Sequence, residues 1–258
     1  MNLLWTLQIL IVTFMQINCA TNILSVPNID SILRDKSSSC INALNQIDDL
    51  AKSVLLMDGK RILPKNDQLR DQFCSPLKQL TKLGGVYVKC ATPFVGQTAT
   101  ILINGLKKPV KHICRGSTER FRKHYICMDD DYIDKLLEIE ARYLDSFDAM
   151  NSANFSREIV LPGVCCSTNR LFEAIKTIKH NPCSDETATP NQFLFSRVEE
   201  AIRDTLDLVC GTYPDMETCN KKAPRIFEQF KSYEKGPRDL KDEAFVIRLL
   251  QLFSSLSE

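Results

Sequence analysis

The 258-residue sequence is poor in residues that make turns, with only 9 glycines and 11 prolines. This scarcity excludes a many-stranded β-sandwich, which needs a turn after each short strand. Acidic and basic residues nearly cancel, since 33 Lys and Arg stand against 32 Asp and Glu. A net charge of +1 provides no basic field for nucleic acid or anionic lipid, so neither is an expected partner. A hydrophobic fraction of 44% is too high for a disordered chain.

Residue patterns that carry catalysis are also missing. The sequence contains no HExxH, GxSxG or P-loop motif. The cysteine doublet at 165–166 invites comparison with the CCxxHD helix of secreted calcium-dependent phospholipases, but Asn169 and Arg170 replace the histidine and the aspartate. Loss of that general base and calcium ligand excludes this route of lipid hydrolysis. The sequence therefore predicts a protein that is not an enzyme and needs no cofactor. Its only histidines are His112, His124 and His180.

The first twenty residues carry no charged side chain and include an apolar run from Leu3 to Ile17. Such a run is shorter than the roughly 20 residues of a membrane-spanning helix and is typical of a secretory signal peptide. Small residues at its end place the mature N-terminus at Ala20 or Thr21. The C-terminal run AFVIRLLQLF is interrupted by Arg248, so we predict no membrane span there. We expect a secreted, extracellular protein.

Cysteine is unusually abundant, with 11 residues in the sequence. Removal of the leader also removes Cys19 and leaves ten cysteines, and an even set on an oxidising secretory route predicts five disulfides. No CxxC pair exists, which disfavours zinc, and we predict no metal. One hypothesis for the pairing is a bridge between Cys40 and Cys165. The sequon at Asn154 predicts an N-glycan. The predicted disulfide cysteines are Cys40, Cys74, Cys90, Cys114, Cys127, Cys165, Cys166, Cys183, Cys210 and Cys219.

Apolar residues spaced three and four apart predict amphipathic helices in four segments. Further helices are expected to start near Pro76 and Ser167, with Gly84-Gly85 ending the first of these. Within 98–113, TATILI alternates like a strand, and a glycine and a proline oppose a continuous helix, so the sequence leaves helix and strand both open there. Loops are expected at 58–68, 151–164, 184–191 and 234–240. The four predicted helical segments are 41–57, 131–150, 193–209 and 241–256.

Cysteine spacing indicates an internal duplication. Four cysteines from Cys74 to Cys127 are separated by 16, 24 and 13 positions, and four from Cys166 to Cys219 by 17, 27 and 9. We therefore expect an all-α, disulfide-braced protein with two tandem three-helix units and C-terminal helices. The alternative is that any disulfide-rich helical chain places cysteines at helix ends. The expected divisions are a signal peptide at 1–20, a flexible segment at 21–39, units at 40–127 and 128–219, and C-terminal helices at 220–258.

The cysteine motifs resemble those of a large family of secreted cysteine-rich proteins from ticks, mites and spiders, and more loosely the insect 27 kDa haemolymph glycoproteins. The most specific parts of this resemblance are the doublet at 165–166 and the run C-x-x-S-x-x-x-F-x(5)-C from Cys114 to Cys127. The family pattern has two further cysteines, at places that Leu83 and Ala174 occupy here. This resemblance covers residues 63–219. It implies an extracellular, mostly helical protein and brings no established activity.

Two charged stretches have competing interpretations. The acidic triad at 129–131 has the composition of a cation site, but no glycine or closing glutamate follows as in a calcium loop. Helix capping at the start of an amphipathic helix is therefore the favoured interpretation. The basic stretch at 115–123 is an anion patch in one interpretation and a solvated loop between cysteines in the favoured one.

Three hypotheses for function remain open. The first is a carrier that encloses an apolar, lipid-like small molecule. The second is an extracellular protein-binding effector with an exposed apolar patch, such as a salivary, haemolymph or signalling protein. The third is an unrecognised secreted hydrolase. A carrier cavity between the helices is predicted to be lined by Phe195, Ile202, Phe245, Leu249 and Leu252.

Overall fold

The computed structural model describes residues 31–115, 119–152, 157–178 and 190–255. The all-α, disulfide-braced class predicted from the sequence is confirmed, and the described ranges contain no strand beyond an isolated bridge between Leu33 and Ala91. A short 3₁₀ turn, Lys231–Tyr233, directly follows the helix Ile226–Phe230. The helices are α1 (Ser38–Val54), α2 (Asp67–Cys90), α3 (Pro93–Cys114), α4 (Glu119–Ile126), α5 (Asp130–Met150), α6 (Arg157–Lys176), α7 (Pro190–Cys210), α8 (Met216–Lys222), α9 (Ile226–Phe230) and α10 (Val246–Ser255).

Side-chain caps fix where two long helices begin. Asn66 accepts a hydrogen bond from the backbone N–H of Leu69 at 2.8 Å, so α2 begins before Pro76 and the predicted start at that proline is wrong. Asp129 accepts from the N–H of Tyr132 at 2.8 Å at the start of α5. The capping role favoured for the acidic triad is thereby confirmed.

Helix α2 continues through the Gly84-Gly85 pair, which was expected to end it. The reason lies in packing against α3, because a β-carbon on Gly84 would overlap the side chain of Ile103. A glycine there allows the two helices to approach closely. Tertiary contact therefore outweighs the low helix propensity of glycine.

The segment 98–113, for which the sequence left helix and strand both open, is helical and belongs to α3. Its glycine serves a close helix crossing, since a β-carbon on Gly105 would overlap the carbonyl oxygen of Ala201 in α7. Pro109 lies inside the same helix and lacks the N–H that would bond the Gly105 carbonyl. Burial of Gly105 and Pro109 against neighbouring helices stabilises a helix that local signals oppose.

Helix α6 begins at Arg157, so the predicted loop at 151–164 is too long and Ser167 is not a helix start. Val160 and Val164 are both buried and lie one turn apart, before Ser167 on the same side of the helix. Burial of this apolar face therefore extends the helix ten residues ahead of Ser167.

Among the described residues, three disulfides link helices that are consecutive in the chain, and a fourth links α6 to α8. The predicted Cys40–Cys165 bridge is wrong, because Cys40 at the start of α1 bonds Cys90 at the end of the adjacent α2. Cys127 is also disulfide-bonded. The predicted signal peptide, Asn154 and Cys183 lie outside the described residues. The described residues also contain the disulfides Cys74–Cys114, Cys165–Cys210 and Cys166–Cys219.

The bond pattern modifies the alignment of the predicted duplication. Cys74–Cys114 joins the second helix of the first unit to the end of its third helix. Cys165, rather than Cys166, makes the equivalent bond in the second unit, to Cys210 at the end of α7. The two units thus match at the first cysteine of the doublet, one residue from the alignment that the spacing alone indicated.

Within the described part of the chain, apolar side chains form three buried clusters, and these extend across the expected division at residue 128. One contains residues of α1, α2, α3 and α10. The second joins Phe73 and Leu77 of α2 to Tyr132 and Leu136 of α5. The third lies among α5, α6, α9 and α10 and contains the fully buried Phe147. The two predicted units therefore share their hydrophobic core.

Candidate ligand-binding cleft

A cleft of about 230 Å³ lies where α5, α6 and α9 meet. From α5 it is lined by Ile139, Arg142, Tyr143 and Ser146, which share one face of the helix because they are spaced three and four residues apart. The helix thus presents an apolar side chain, a cation, a phenol and a hydroxyl to the same space.

The opposite wall comes from α6 and α9. Ser167, Arg170 and Ala174 share the facing side of α6, and Phe227 and Phe230 of α9 supply an aromatic surface. Phe230 is buried, whereas Phe227 is half-buried at the cleft. The cleft therefore combines an apolar wall with cationic and hydroxyl groups, a combination common in small-molecule sites.

Helix α9 is held over the cleft by attachments of the segment before it to α6. The Cys166–Cys219 disulfide ties α8 to the middle of α6. Three residues further along α6, the Asn169 amide donates to the carbonyl oxygen of Tyr213 at 2.9 Å. These attachments fix the chain that enters α9.

The chain that leaves α9 is attached to α5 and to the turn after it. The Tyr233 hydroxyl hydrogen-bonds the Ser152 hydroxyl at 2.8 Å. The backbone N–H of Lys235 donates to a carboxylate oxygen of Asp145 at 3.0 Å. Because both ends of α9 are fixed, the cleft is a preformed feature of the fold.

Asp145 lines the cleft, but its charge is compensated by a network behind it. Its buried carboxylate forms an ion pair with Arg238 at 2.8 Å. Arg238 also pairs with Glu243 at 2.9 Å. The network contains three acidic and three basic side chains and is therefore balanced. Its remaining members are Asp148, Lys235 and Arg248.

The two arginines of the cleft have no acidic partner among the described residues. Arg142 and Arg170 are exposed, and no hydrogen bond or ion pair joins either guanidinium to a described side chain. The Arg170 guanidinium lies over the Phe227 ring, 4.9 Å from its centroid. Glu234 is the other charged group that lines the cleft, and it is exposed. With Asp145 compensated, the remaining lining charge is +1, from two arginines and one glutamate.

Two hydroxyl groups of the cleft differ in their hydrogen bonding. The Ser167 hydroxyl is buried and has no hydrogen-bond partner. The Tyr143 hydroxyl lies 2.9 Å from that of Thr168, which itself donates to the Val164 carbonyl, so Tyr143 is the donor. Burial raises the pKa of Tyr143 to about 12, which keeps this phenol neutral. Ser167 is thus the buried hydroxyl free to bond a ligand.

The residues predicted to line a carrier cavity lie elsewhere. Phe245 packs against Phe147, with ring centroids 6.0 Å apart. Leu252 is fully buried, and Leu249 packs against the same cluster. Ile202 is half-buried on α7 and lines no part of the cleft. The side chain of the fifth predicted residue, Phe195, lies outside the described part of the structure.

The two histidines among the described residues, His112 and His124, lie away from the cleft. The Nδ1 atom of His112 lies 2.9 Å from the Arg197 guanidinium, and His124 stacks on Phe193 with centroids 4.4 Å apart. His180 falls outside the described residues. Among the described side chains, the group with metal-type ligand atoms consists of an aspartate and two disulfide-bonded cysteines. Oxidised cysteines are not thiolate ligands, so this group is not a metal centre.

Comparison with known proteins leaves the cleft as the basis for assigning function. No protein-family model matches the chain, and the curated proteins and solved structures show no significant similarity to it. None of the described helices combines the length and apolar composition that crossing a bilayer requires.

The cleft residues have only a weak sequence signal. Arg142 is a cation among the core-spaced residues of α5, and Arg170 attracts notice because it replaces the phospholipase aspartate. Neither signal shows that the two arginines share a space. Their approach depends on the packing of α5 against α6, which periodicity does not specify.

Proposed function

We propose that the protein is a secreted, extracellular binding protein that holds a small ligand between α5, α6 and α9. Support for secretion comes from the apolar leader, the disulfides and the cysteine pattern that resembles the secreted arthropod family. Support for ligand binding comes from the cleft, in which unpaired cations and a buried hydroxyl face aromatic rings. This juxtaposition carries the proposal.

The composition of the cleft favours binding over catalysis. Among the described residues, no histidine or cysteine lines it. Ser167 lacks an adjacent base, since it has no hydrogen-bond partner and the lining Asp145 is paired with Arg238. A serine without a base is a weak nucleophile. The hydrolase hypothesis therefore has no catalytic pair here to support it.

The size of the cleft limits its ligand. Its 230 Å³ is below the roughly 300–1,000 Å³ of sites for drug-sized molecules. A small molecule fits this space, whereas a long acyl chain does not. We therefore replace the lipid-like ligand of the carrier hypothesis with a smaller one.

Exposed apolar side chains give less support to the protein-binding hypothesis. The large exposed ones are Val86, Phe94, Ile126 and Leu208, and they lie on four different helices. Apolar residues exposed singly are ordinary on protein surfaces. The cleft is therefore the stronger basis for function.

Native mass spectrometry of the secreted protein tests the proposal. We expect a small molecule that remains bound in gentle ionisation and is released on denaturation. The variant Ala174→Phe fills the cleft and should lose the ligand. Its matched control, Glu173→Phe, places the same ring at an exposed position one residue away and should keep it. A ligand retained by Ala174→Phe would contradict the proposal, as would a wild-type protein that carries no ligand and binds no small molecule offered to it.

A further inference from the structure

We propose that the ligand of the cleft is a small organic monoanion with a flat apolar group, such as an aromatic carboxylate. Its anionic group would bind Arg142, Arg170 and the Ser167 hydroxyl. The apolar group would lie against Phe227 and Phe230. This assignment rests on the proposed function and adds the chemical class of the ligand.

The first support is charge. Arg142 and Arg170 line one space without an acidic partner among the described residues. A guanidinium presents a planar fork of N–H donors that matches a carboxylate. An anion between the two arginines would accept hydrogen bonds from both guanidinium groups and partly balance their charge.

The second support is the buried Ser167 hydroxyl. It is 5% exposed, and it has no hydrogen-bond partner, which is rare for a buried polar group. Ser167 lies one turn before Arg170 and lines the same cleft. A ligand oxygen at this place would accept a hydrogen bond from the Ser167 hydroxyl, and the donor would no longer be unsatisfied.

The third support concerns the rest of the ligand. The Arg170 guanidinium lies over the Phe227 ring, so a cationic group and an aromatic surface are adjacent in the cleft. A volume of 230 Å³ holds about seven or eight water-sized groups, taking roughly 30 Å³ for each. That space is comparable with a phenyl ring bearing a carboxylate. A single negative charge also matches the lining charge of +1.

Calorimetric titration of the purified protein with benzoate, benzamide and benzylamine tests the class of ligand. These probes share a ring and differ in charge. We expect benzoate to bind at least about tenfold more tightly than benzamide, and benzylamine to bind most weakly. Before titration, any ligand that co-purifies is released, and its charge is determined by mass spectrometry.

Substitutions locate the anionic group. Arg142→Gln and Arg170→Gln should each weaken benzoate binding about tenfold, while Arg203→Gln, an exposed arginine paired with Glu199 on α7, should not. Ser167→Ala should weaken benzoate binding and leave the melting temperature of the ligand-free protein unchanged or raised, because it removes an unsatisfied donor. A merely structural role for Ser167 would lower that temperature.

The outcomes separate the two proposals. Equal binding of benzoate and benzamide, or a neutral or cationic co-purifying ligand, overturns the anion assignment and leaves the binding function standing. If no probe binds but an anionic ligand co-purifies and is lost in Arg142→Gln, the assignment holds. If no probe binds and nothing co-purifies, both proposals are overturned.

Discussion

Glu140 lies on α5 with its side chain buried, and one of its carboxylate oxygens has no hydrogen-bond partner. Burial raises the pKa of this carboxyl well above its ordinary value of 4.5. The folded protein therefore keeps a proton that the unfolded chain releases above that pH. Folding stability should fall as pH rises between the two pKa values, at a slope of about 1.4 kcal/mol per pH unit from this group.

Glu140→Gln should remove that pH dependence. Its stability relative to wild type should rise by about 1.4 kcal/mol per pH unit above about pH 4.5, until the folded-state pKa is passed. Urea denaturation at several pH values measures the difference. Glu138→Gln, an exposed neighbour on the same helix, is the control and should show no such trend. A constant difference for Glu140→Gln across pH would contradict the buried, protonated state.

Asp48 is a second buried carboxylate, and it caps a distant helix. One of its oxygens accepts from the backbone N–H groups of Phe245 at 2.9 Å and Val246 at 2.7 Å. The first turn of α10 has unsatisfied N–H groups, so this residue of α1 satisfies them from another helix. Burial raises the pKa of Asp48, while Lys52 and these N–H groups oppose the rise.

Asp48→Ala should lower the free energy of unfolding by about 1–3 kcal/mol, because it leaves part-buried N–H donors at the start of α10 unsatisfied. Asp48→Asn retains an acceptor oxygen and should lose less. Asp49→Ala, on the same helix with an exposed side chain, should change stability by less than about 0.5 kcal/mol. Chemical denaturation of the three variants measures this order. Equal losses for Asp48→Ala and Asp49→Ala would exclude the cap.

At the scale of elements, the crossing of α3 and α7 depends on Gly105. Gly105→Ala should destabilise the fold by about 1–3 kcal/mol, since its β-carbon would overlap the Ala201 carbonyl. Gly85→Ala is the matched control, because open space surrounds that helical position, and it should be neutral or stabilising by about 0.5–1 kcal/mol. Thermal melts distinguish the two. A tolerated Gly105→Ala would show that the helices do not pass so closely.

Helix prediction from the sequence succeeded where apolar residues recur with helical spacing, as in α1 and α5. It failed where glycine and proline occur inside buried helices. Gly84 and Gly105 are helix breakers by propensity, but their missing side chains allow close packing. Ser167 has the composition of a helix start and lies in mid-helix, because the valines before it are buried. Local signals do not reveal such tertiary contacts.

At the scale of the whole molecule, disulfides connect the fold to the cleft. Cys166–Cys219 closes a loop of 53 positions beside α9, and Cys74–Cys114 closes one of 40 positions away from it. Loop entropy is similar for these lengths, so each bond should stabilise the fold by about 2–4 kcal/mol. Their effects on the cleft should differ, because only the first holds the segment that enters α9.

Replacing both cysteines of each pair by serine tests this difference. Loss of either bond should lower the melting temperature by a similar amount. Loss of Cys166–Cys219 should also weaken ligand binding, while loss of Cys74–Cys114 should leave it nearly unchanged below the melting transition. Calorimetric titration with benzoate measures the effect. Equal weakening in both variants would show that the disulfide beside α9 has no special role in the cleft.

The sequence was less informative about the site than about the fold. Phe245, Leu249 and Leu252 were expected to line a cavity, because their helix is apolar on several sides. Leu252 is instead fully buried, and Phe245 and Leu249 are half-buried and pack against the same cluster, since α10 contacts several other helices. Arg142 and Arg170 come together only through the packing of α5 and α6. A site built from three helices depends on tertiary geometry that one-dimensional periodicity does not contain.

The most direct test of the central claim is a crystal structure of the purified protein without added ligand. The account predicts electron density for a small molecule between α5, α6 and α9, with its acidic group within hydrogen-bond distance of Arg142, Arg170 and the Ser167 hydroxyl. Two results would contradict the account. One is a cleft that contains only water although mass spectrometry detects a bound ligand in the same protein. The other is a ligand bound elsewhere on the molecule.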